Sequence, residues 1–203
     1  LDISASLEER DTMLSVLKKT AEEVFIPLTL GGGIKSIKNI KDSLMAGADK
    51  VSINSAAIKN PEIIKNASEH FGSQCIVVAV DVKKIGSSWM VHSHGGTINT
   101  NIEALSWLEK TQKLGAGEIL LTSMDRDGTK LGFDLDLLKE VNKILNIPLI
   151  ASGGVGTIEH FYEGYNQIIE EAHRVVKDGG YLFLTFPCMS PLRKINVKIE
   201  IDT

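Results

Sequence analysis

The sequence has few cysteines, no excess of positive charge and no long hydrophobic run. Its two cysteines, Cys75 and Cys188, give neither a disulfide framework nor a metal-binding spacing. The net charge of −4 argues against a nucleic-acid-binding or membrane-surface protein, because no surplus of cations would offset a polyanion. No run approaches the roughly 18 apolar residues of a membrane-spanning helix, and the first residues show no signal-peptide pattern. We therefore expect a cytoplasmic protein with no nucleic-acid or membrane partner.

The chain instead alternates short apolar runs with amphipathic stretches. Its hydrophobic fraction of 43% is enough for a buried core. The stretches between the apolar runs carry apolar residues at helical spacing, which is the βαβ pattern of a parallel sheet. The runs are apolar almost throughout, so we expect strands covered on both faces. Six strands are predicted, at residues 1–4, 27–30, 50–54, 75–81, 118–123 and 148–152.

Two further patterns refine this fold. Residues 26–33 read IPLTLGGG and residues 147–154 read IPLIASGG, an offset of roughly four βα units. A (β/α)8 barrel made of two similar four-strand halves explains the repeat, whereas an open doubly wound sheet would not require one. Between the fourth and fifth strands, the alternation and the Gly-Gly pair of residues 87–100 predict a small inserted hairpin.

The repeated segments end in glycine turns, at Gly31–Gly33 and Ser152–Gly154. Turns without side chains let backbone N–H groups and a helix N-terminus approach an anion closely. For either turn taken alone, the alternative to anion binding is a tight strand-to-helix connection that needs glycine for its positive φ angles. In a barrel, both turns lie at the carboxyl ends of strands, where barrel active sites lie. Two related turns therefore predict two phosphate sites and a substrate with a phosphate at each end.

Polar residues follow two other predicted strands at the same end. Asn54 and Ser55 come after the third strand, where their side chains can bind phosphate or cap the next helix. Asp125, Asp127 and Gly128 come after the fifth strand. A structural turn needs only one of these aspartates, so the pair indicates a site that also binds hydroxyl groups.

Asp81 ends the apolar run 75–81 and would lie at the mouth of the barrel. Partial desolvation there would raise the pKa of its carboxyl group towards the range useful for proton transfer, although an aspartate that only caps a loop is the alternative. His92 and His94 are two residues apart on one face of a predicted strand, as metal ligands sometimes are, but no third ligand accompanies them. We predict no metal and no cofactor.

Six runs of the sequence match one known family, namely LDISAS, LTLGGGIK, GADKVSINSAA, FGSQCIVVAVDVK, GAGEILLTSMDRDGTKLGFD and IPLIASGGVGTIEHF. They resemble the cyclase subunit of imidazole glycerol phosphate synthase, the HisF family, including its relatives in surface-polysaccharide sugar pathways. The resemblance covers residues 1 to about 163. It implies a (β/α)8 barrel that takes ammonia from a glutaminase partner, HisH. The family forms imidazole glycerol phosphate and releases aminoimidazole carboxamide ribotide. Its bis-phosphorylated substrate agrees with the two glycine turns.

The resemblance also implies a role for each matching residue. Asp81 would be one of two catalytic aspartates and act as a general acid/base. Lys50 and Glu118 would lie at the opposite end of the barrel, where the family gates ammonia from the glutaminase. Two sets would bind the phosphates, with Gly33, Asn54 and Ser55 at one end and Asp127, Gly128 and Gly154 at the other.

The sequence departs from the family at both ends. The first barrel strand, with the other catalytic aspartate, and the remaining gate residues are absent, and no eighth strand follows Phe161. Residues 168–187 resemble a late helix-turn-strand segment of class I S-adenosylmethionine-dependent methyltransferases, but no acidic residue with a Gly-x-Gly loop precedes them. We therefore expect a partial HisF-like barrel over residues 1–163, with strands 2 to 7, and a non-family, methyltransferase-like tail over residues 164–203.

These observations leave several functions open. The leading hypothesis is the cyclase of histidine biosynthesis. One alternative is a HisF-like amidotransferase partner in surface-polysaccharide sugar biosynthesis. Another is an inactive truncated fusion, because a chain that lacks two strands and one catalytic carboxylate should turn over little substrate. A methyltransferase-related binding protein is a further alternative.

Overall fold

The structure, a computed structural model, describes residues 14–175, 181–186 and 195–200, with side chains up to residue 166. A short 3₁₀ helix covers Ser73–Cys75. The helices are α1 (Leu14–Glu23), α2 (Ile37–Met45), α3 (Ser55–Lys59), α4 (Glu62–Phe71), α5 (Ala104–Lys113), α6 (Leu135–Asn142) and α7 (Ile158–Val175). The strands are β1 (Thr29–Gly31), β2 (Lys50–Ile53), β3 (Ile76–Ile85), β4 (Ser88–Ser93), β5 (Ile98–Glu103), β6 (Glu118–Ser123), β7 (Leu149–Ser152), β8 (Tyr181–Phe186) and β9 (Ile195–Glu200).

Five of these strands form a parallel sheet in the order β1-β2-β3-β6-β7. Every connection between consecutive parallel strands contains at least one helix. This alternation is that of an incomplete (β/α)8 barrel, so the predicted fold class is confirmed. Five of the six predicted strands are present, and the remaining one, at residues 1–4, lies outside the described residues.

The core lies between the sheet and the helices. The apolar residues of β2, β3 and β6 that face the helices, such as Val51, Val80 and Ile119, are at most 1% exposed. They pack in one cluster with helical residues such as Ile64 of α4 and Leu108 of α5, both fully buried. Alternating strand positions point the other way, because successive side chains of a strand lie on opposite faces.

The inner face of the sheet differs from the sequence prediction. In β6, buried residues alternate with partly exposed ones, among them Leu120 and Thr122. In β3, Ala79 and Asp81 are likewise partly exposed between buried valines. The prediction that the strands are covered on both faces therefore fails at these positions of β3 and β6, whereas it holds in β2, where Val51, Ser52 and Ile53 are all buried. The inner face turns its side chains towards a cavity.

The predicted hairpin is present and is longer than expected. β3 continues to Ile85, β4 returns antiparallel to it, and β5 pairs antiparallel with β4. The first half of β3 pairs with β2, whereas its second half pairs with β4. The hairpin thus extends the sheet beyond the carboxyl end of β2.

The tail begins within a single helix. α7 runs unbroken from Ile158 to Val175 and so spans the predicted boundary between residues 163 and 164, which stays a prediction. β8 and β9 pair antiparallel in a sheet of their own. In the parts of the chain that the structure describes, no helix is both long enough and apolar enough to cross a membrane.

Candidate functional site

A cavity of about 1260 Å³ lies at the carboxyl ends of the parallel strands. Five of the predicted site residues line it, namely Gly33, Asn54, Ser55, Asp81 and Asp127. Gly128 and Gly154 are not among the residues that line it. Four of the strands, β1, β2, β6 and β7, end here because polar and glycine residues replace the apolar run, whereas β3 continues past Asp81 into the hairpin. The cavity therefore gathers residues that are far apart in the sequence.

The first glycine turn forms one wall of the cavity. Gly32 and Gly33 have φ angles of 102° and 69°, which side chains of L-residues rarely adopt. The turn leads into α2, whose N-cap residue Ser36 accepts a hydrogen bond from the backbone N–H of Asn39 at 3.2 Å. Gly33 and Ser36 both line the cavity. The turn therefore presents backbone without side chains at the wall, which an anion site formed by N–H groups requires.

Asn54 interacts with Asp81 rather than capping a helix. Its Nδ2 donates to Oδ2 of Asp81 at 2.9 Å. Asn54 occupies the N-cap position of α3, yet its side chain makes no capping hydrogen bond. Its Oδ1 is buried and has no hydrogen-bond partner. The helix-capping alternative for Asn54 is therefore wrong, and a residue that lines the cavity has a buried amide oxygen without a partner.

The carboxyl group of Asp81 has a pKa raised above its ordinary value. Burial is the largest cause, since it disfavours the charged form, and the negative charge of Asp127 adds to it. Hydrogen bonds from Asn54 and Thr122 act in the opposite direction, as does His92. A carboxyl group with a raised pKa beside a cavity is suited to accept and return protons.

The inserted hairpin closes another side of the cavity. The backbone N–H of His94 donates to Oγ of Ser55 at 3.1 Å, which ties the hairpin to the start of α3. His94 lies beyond the end of β4, with a φ of 54°, whereas His92 lies within that strand and is 6% exposed. The prediction that the two histidines share a strand face is wrong, because the chain turns at His94. Among the described residues, no group of three or more metal-ligating side chains occurs.

The two aspartates after β6, Asp125 and Asp127, have different roles. Oδ2 of Asp125 accepts a hydrogen bond from the backbone N–H of Lys84 at 2.7 Å, which fixes the loop to the hairpin. Asp127 is exposed and lines the cavity. One aspartate therefore has a structural role, and the other is available to a ligand.

The second glycine turn packs against the loop after β6. The backbone N–H of Gly132 donates to the carbonyl oxygen of Gly154 at 2.8 Å. Gly154 has a φ of 94°, and a Cβ on it would overlap the carbonyl oxygen of Gly132. Gly128 has a φ of 74°, but nothing lies within 4 Å of the Cβ position. Ser152 is the member of this turn that reaches the cavity.

Lys50 and Glu118 lie at the opposite end of the sheet. They begin β2 and β6, the two strands that pair parallel with β3. Nζ of Lys50 is 2.8 Å from Oε2 of Glu118, and the two side chains are 35% and 15% exposed. This ion pair spans the first residues of β3, on the end of the strands that lies away from Asp81.

Several cavity residues are not among the sequence-predicted set. Ser52 is 4% exposed, its Oγ has no partner, and it precedes Asn54 by two residues, so strand periodicity places the two on one face. Thr122 lies opposite Asp81 in the pairing of β3 with β6, which only the register reveals. Lys35 and Lys59 are exposed residues that also line the cavity, and their surface-like sequence context gives no signal.

The chain is similar to one known protein family and to several of its members. The model of a family described as "Histidine biosynthesis protein" matches residues 1–175. A protein named imidazole glycerol phosphate synthase subunit HisF, from Prosthecochloris aestuarii, is 59% identical over 165 residues, which are 81% of this chain and 66% of that protein. A protein of the same name from Clostridium botulinum (strain Okra / Type B1) is 58% identical over 174 residues, 85% of this chain and 69% of that protein. The chain thus spans about two thirds of the length of these relatives.

Proposed function

The chain belongs to the histidine biosynthesis protein family, in the group of its HisF subunits, and we propose that it acts as the cyclase of imidazole glycerol phosphate synthase. In this reaction, ammonia from a glutaminase subunit is used to form imidazole glycerol phosphate and aminoimidazole carboxamide ribotide. One observation carries the proposal: Asp81, whose carboxyl pKa is raised by burial, lies in a cavity flanked by a glycine turn.

In the proposed mechanism, Asp81 is the general acid/base. Addition of ammonia and closure of the imidazole ring both require that protons be taken up and returned. A carboxyl group with a raised pKa changes its protonation state more readily near neutral pH than an exposed one. Partial burial also removes water that would compete for these protons. Asn54 and Thr122 keep the carboxyl group oriented through their hydrogen bonds.

The two ends of the cavity would hold the two phosphates of the substrate. Gly33 and Ser55 offer a backbone N–H and a hydroxyl group on one side. Asp127 lines the other side, where a carboxylate can accept hydrogen bonds from substrate hydroxyl groups. Gly128 and Gly154 do not line the cavity themselves, and the proposal places them beside this second site, in the loops next to Asp127 and Ser152. The cavity volume of about 1260 Å³ is ample for a substrate with two phosphates.

The glutaminase partner would bind at the other end of the sheet. The ion pair between Lys50 and Glu118 lies there, with its oxygen and nitrogen atoms 2.8 Å apart. Ammonia that enters at this end would reach Asp81 along the inner face of the sheet, past Ser52 and Ala79. A cytoplasmic location agrees with this pathway and stays a prediction.

Calorimetry and turnover assays test the proposal. We expect the full chain to bind the bis-phosphorylated substrate, and Ser55→Ala to weaken that binding. With ammonia supplied directly, Asp81→Asn should lower any turnover by about 10²–10⁴-fold. The expectation that this chain alone turns over little substrate is tested in the same assay. A folded chain that binds no substrate, and that does not restore growth to a cyclase-deficient histidine auxotroph, would overturn the proposal.

A further inference from the structure

We propose that Asn54 is a positioning residue for the Asp81 carboxyl group, and that its free amide oxygen accepts a hydrogen bond from the interior of the substrate rather than contacting phosphate. This inference rests on the proposed cyclase function, which assigns the proton transfers to Asp81. It changes the role of Asn54 from a phosphate ligand to a partner of the reacting group.

The first step of the argument is the contact between the two side chains. Nδ2 of Asn54 donates to Oδ2 of Asp81 at 2.9 Å, although the residues are 27 positions apart. An ionised carboxylate only accepts hydrogen bonds, so the amide presents its N–H group to it. Oδ2 of Asp81 is held in this way, and Thr122 donates a further hydrogen bond to the same carboxyl group. The planar amide also fixes the direction of Oδ1 of Asn54.

The second step is the unmet group on Asn54. Its Oδ1 is buried without a hydrogen-bond partner in the structure, and Asn54 lines the cavity. A buried acceptor without a partner is costly, so a bound ligand is expected to supply a donor. A phosphate dianion offers acceptors and no donor, and it therefore cannot satisfy this oxygen. An N–H or O–H group from the middle of the substrate can.

Ser55 is the better phosphate ligand of the pair. Its Oγ accepts a hydrogen bond from the backbone N–H of His94 at 3.1 Å, which uses one lone pair and leaves the hydroxyl proton free to donate. Ser55 lies in the cavity wall with the Gly33 turn. Ser55 thus supplies a hydrogen-bond donor for phosphate, and the adjacent Asn54 supplies an acceptor for the interior of the substrate.

The charges around Asp81 give the sign of the expected effect. Asn54 and Thr122 donate hydrogen bonds to it, His92 faces it from β4, and Asp127 faces it from the loop after β6. The hydrogen bond from Asn54 lowers the pKa of Asp81 against the larger effect of burial. Loss of this donor should therefore raise the pKa of Asp81 further. Loss of the Ser55 hydroxyl should leave it unchanged, since Ser55 is not among these groups.

A titration of the Asp81 carboxyl carbon by ¹³C NMR in the full chain tests the proposal, with Asn54→Ala compared with the matched variant Ser55→Ala. We expect Asn54→Ala to raise the pKa of Asp81 and to retain binding of inorganic phosphate. Ser55→Ala should weaken phosphate binding and leave the pKa of Asp81 in place. Should Asn54→Ala fail to fold, Asn54→Ser is expected to move the pKa in the same direction. An unchanged pKa in folded Asn54 variants would overturn the proposal.

These measurements need no turnover, so they separate this proposal from the proposed function. If the titrations behave as expected and no cyclase activity is found, only the proposed function fails. Where turnover is measurable, Asn54→Ala should lower kcat by on the order of 10-fold or more and move the pH profile of kcat/KM to higher pH. An increase in KM alone, with an unmoved pH profile, would assign Asn54 to binding and contradict the positioning role.

Discussion

Gly154 and Gly128 form a matched pair in which the same substitution should have unequal consequences. Both have positive φ angles, 94° and 74°, so an alanine at either position is strained by about 1–2 kcal/mol. At Gly128 there is nothing else to disturb, because no atom lies within 4 Å of the added Cβ. At Gly154 the Cβ would overlap the carbonyl oxygen of Gly132 and lie 2.9 Å from Cβ of Arg126.

The extra cost at Gly154 can be worked out from this crowding. The backbone cannot move aside freely, because the N–H of Gly132 donates to the carbonyl oxygen of Gly154 at 2.8 Å. Overpacking costs about 1–3 kcal/mol, so the sum for Gly154→Ala is about 2–5 kcal/mol. Gly128→Ala should cost only the strain. Both substitutions reduce the entropy of the unfolded chain equally, and this effect cancels in the comparison.

Urea denaturation followed by tryptophan fluorescence measures the difference. Trp89 and Trp107 are both largely buried, at 7% and 3% exposed, so their emission should report unfolding of the barrel. We expect Gly154→Ala to lower the free energy of unfolding by at least about 1 kcal/mol more than Gly128→Ala. Equal losses, within about 0.5 kcal/mol, would refute the steric argument.

Two further substitutions test the charges at the two ends of the sheet. Lys50→Met should destabilise the fold by about 1–3 kcal/mol, because it leaves the mostly buried Glu118 without its partner. Adding Glu118→Gln to it should recover part of the loss, and a double variant as unstable as the sum of the single variants would contradict this account. Asp81→Asn should stabilise the protein at neutral pH. Because the pKa of Asp81 is raised in the fold, the folded state binds more protons, and its stability falls as pH rises from the unfolded pKa through the folded one. The stabilisation should therefore disappear on acidification below the unfolded pKa, as urea midpoints measured against pH would show; a constant gain would count against it.

The fold could be predicted where its signals are local. The apolar runs gave β2, β6 and β7 to within a residue or two, and the Gly-Gly pair marked the hairpin that holds β4 and β5. The positions of Lys50 and Glu118, at the starts of their strands, could also be anticipated. Strand periodicity would have placed Ser52 beside Asn54 on the inner face. These features depend only on neighbours in the sequence.

The contacts within the site could not be predicted in this way. The hydrogen bond from Asn54 to Asp81, and that from His94 to Ser55, join residues that only the pairing and curvature of the sheet bring together. The division of roles between Asp125 and Asp127 depends on which carboxylate meets the backbone N–H of Lys84. Sequence spacing identifies such residues as polar and near a strand end, but it does not specify their partners.

The double pairing of β3 has a consequence for how the chain folds. Its carboxyl half pairs with β4, the next strand along the chain, and Asp81 lies opposite His92 in this pairing. Nζ of Lys84 also lies over the ring of Trp89, 4.9 Å from the ring centroid. Hairpins of this kind close in about 1–10 μs, whereas parallel pairing such as that of Asp81 with Thr122 must await a distant segment. We expect the half of β3 that carries the carboxylate to gain amide protection during refolding before its pairing with β6 forms, as pulsed hydrogen exchange would detect. The most local part of the sheet would then serve as the template on which the long-range part assembles.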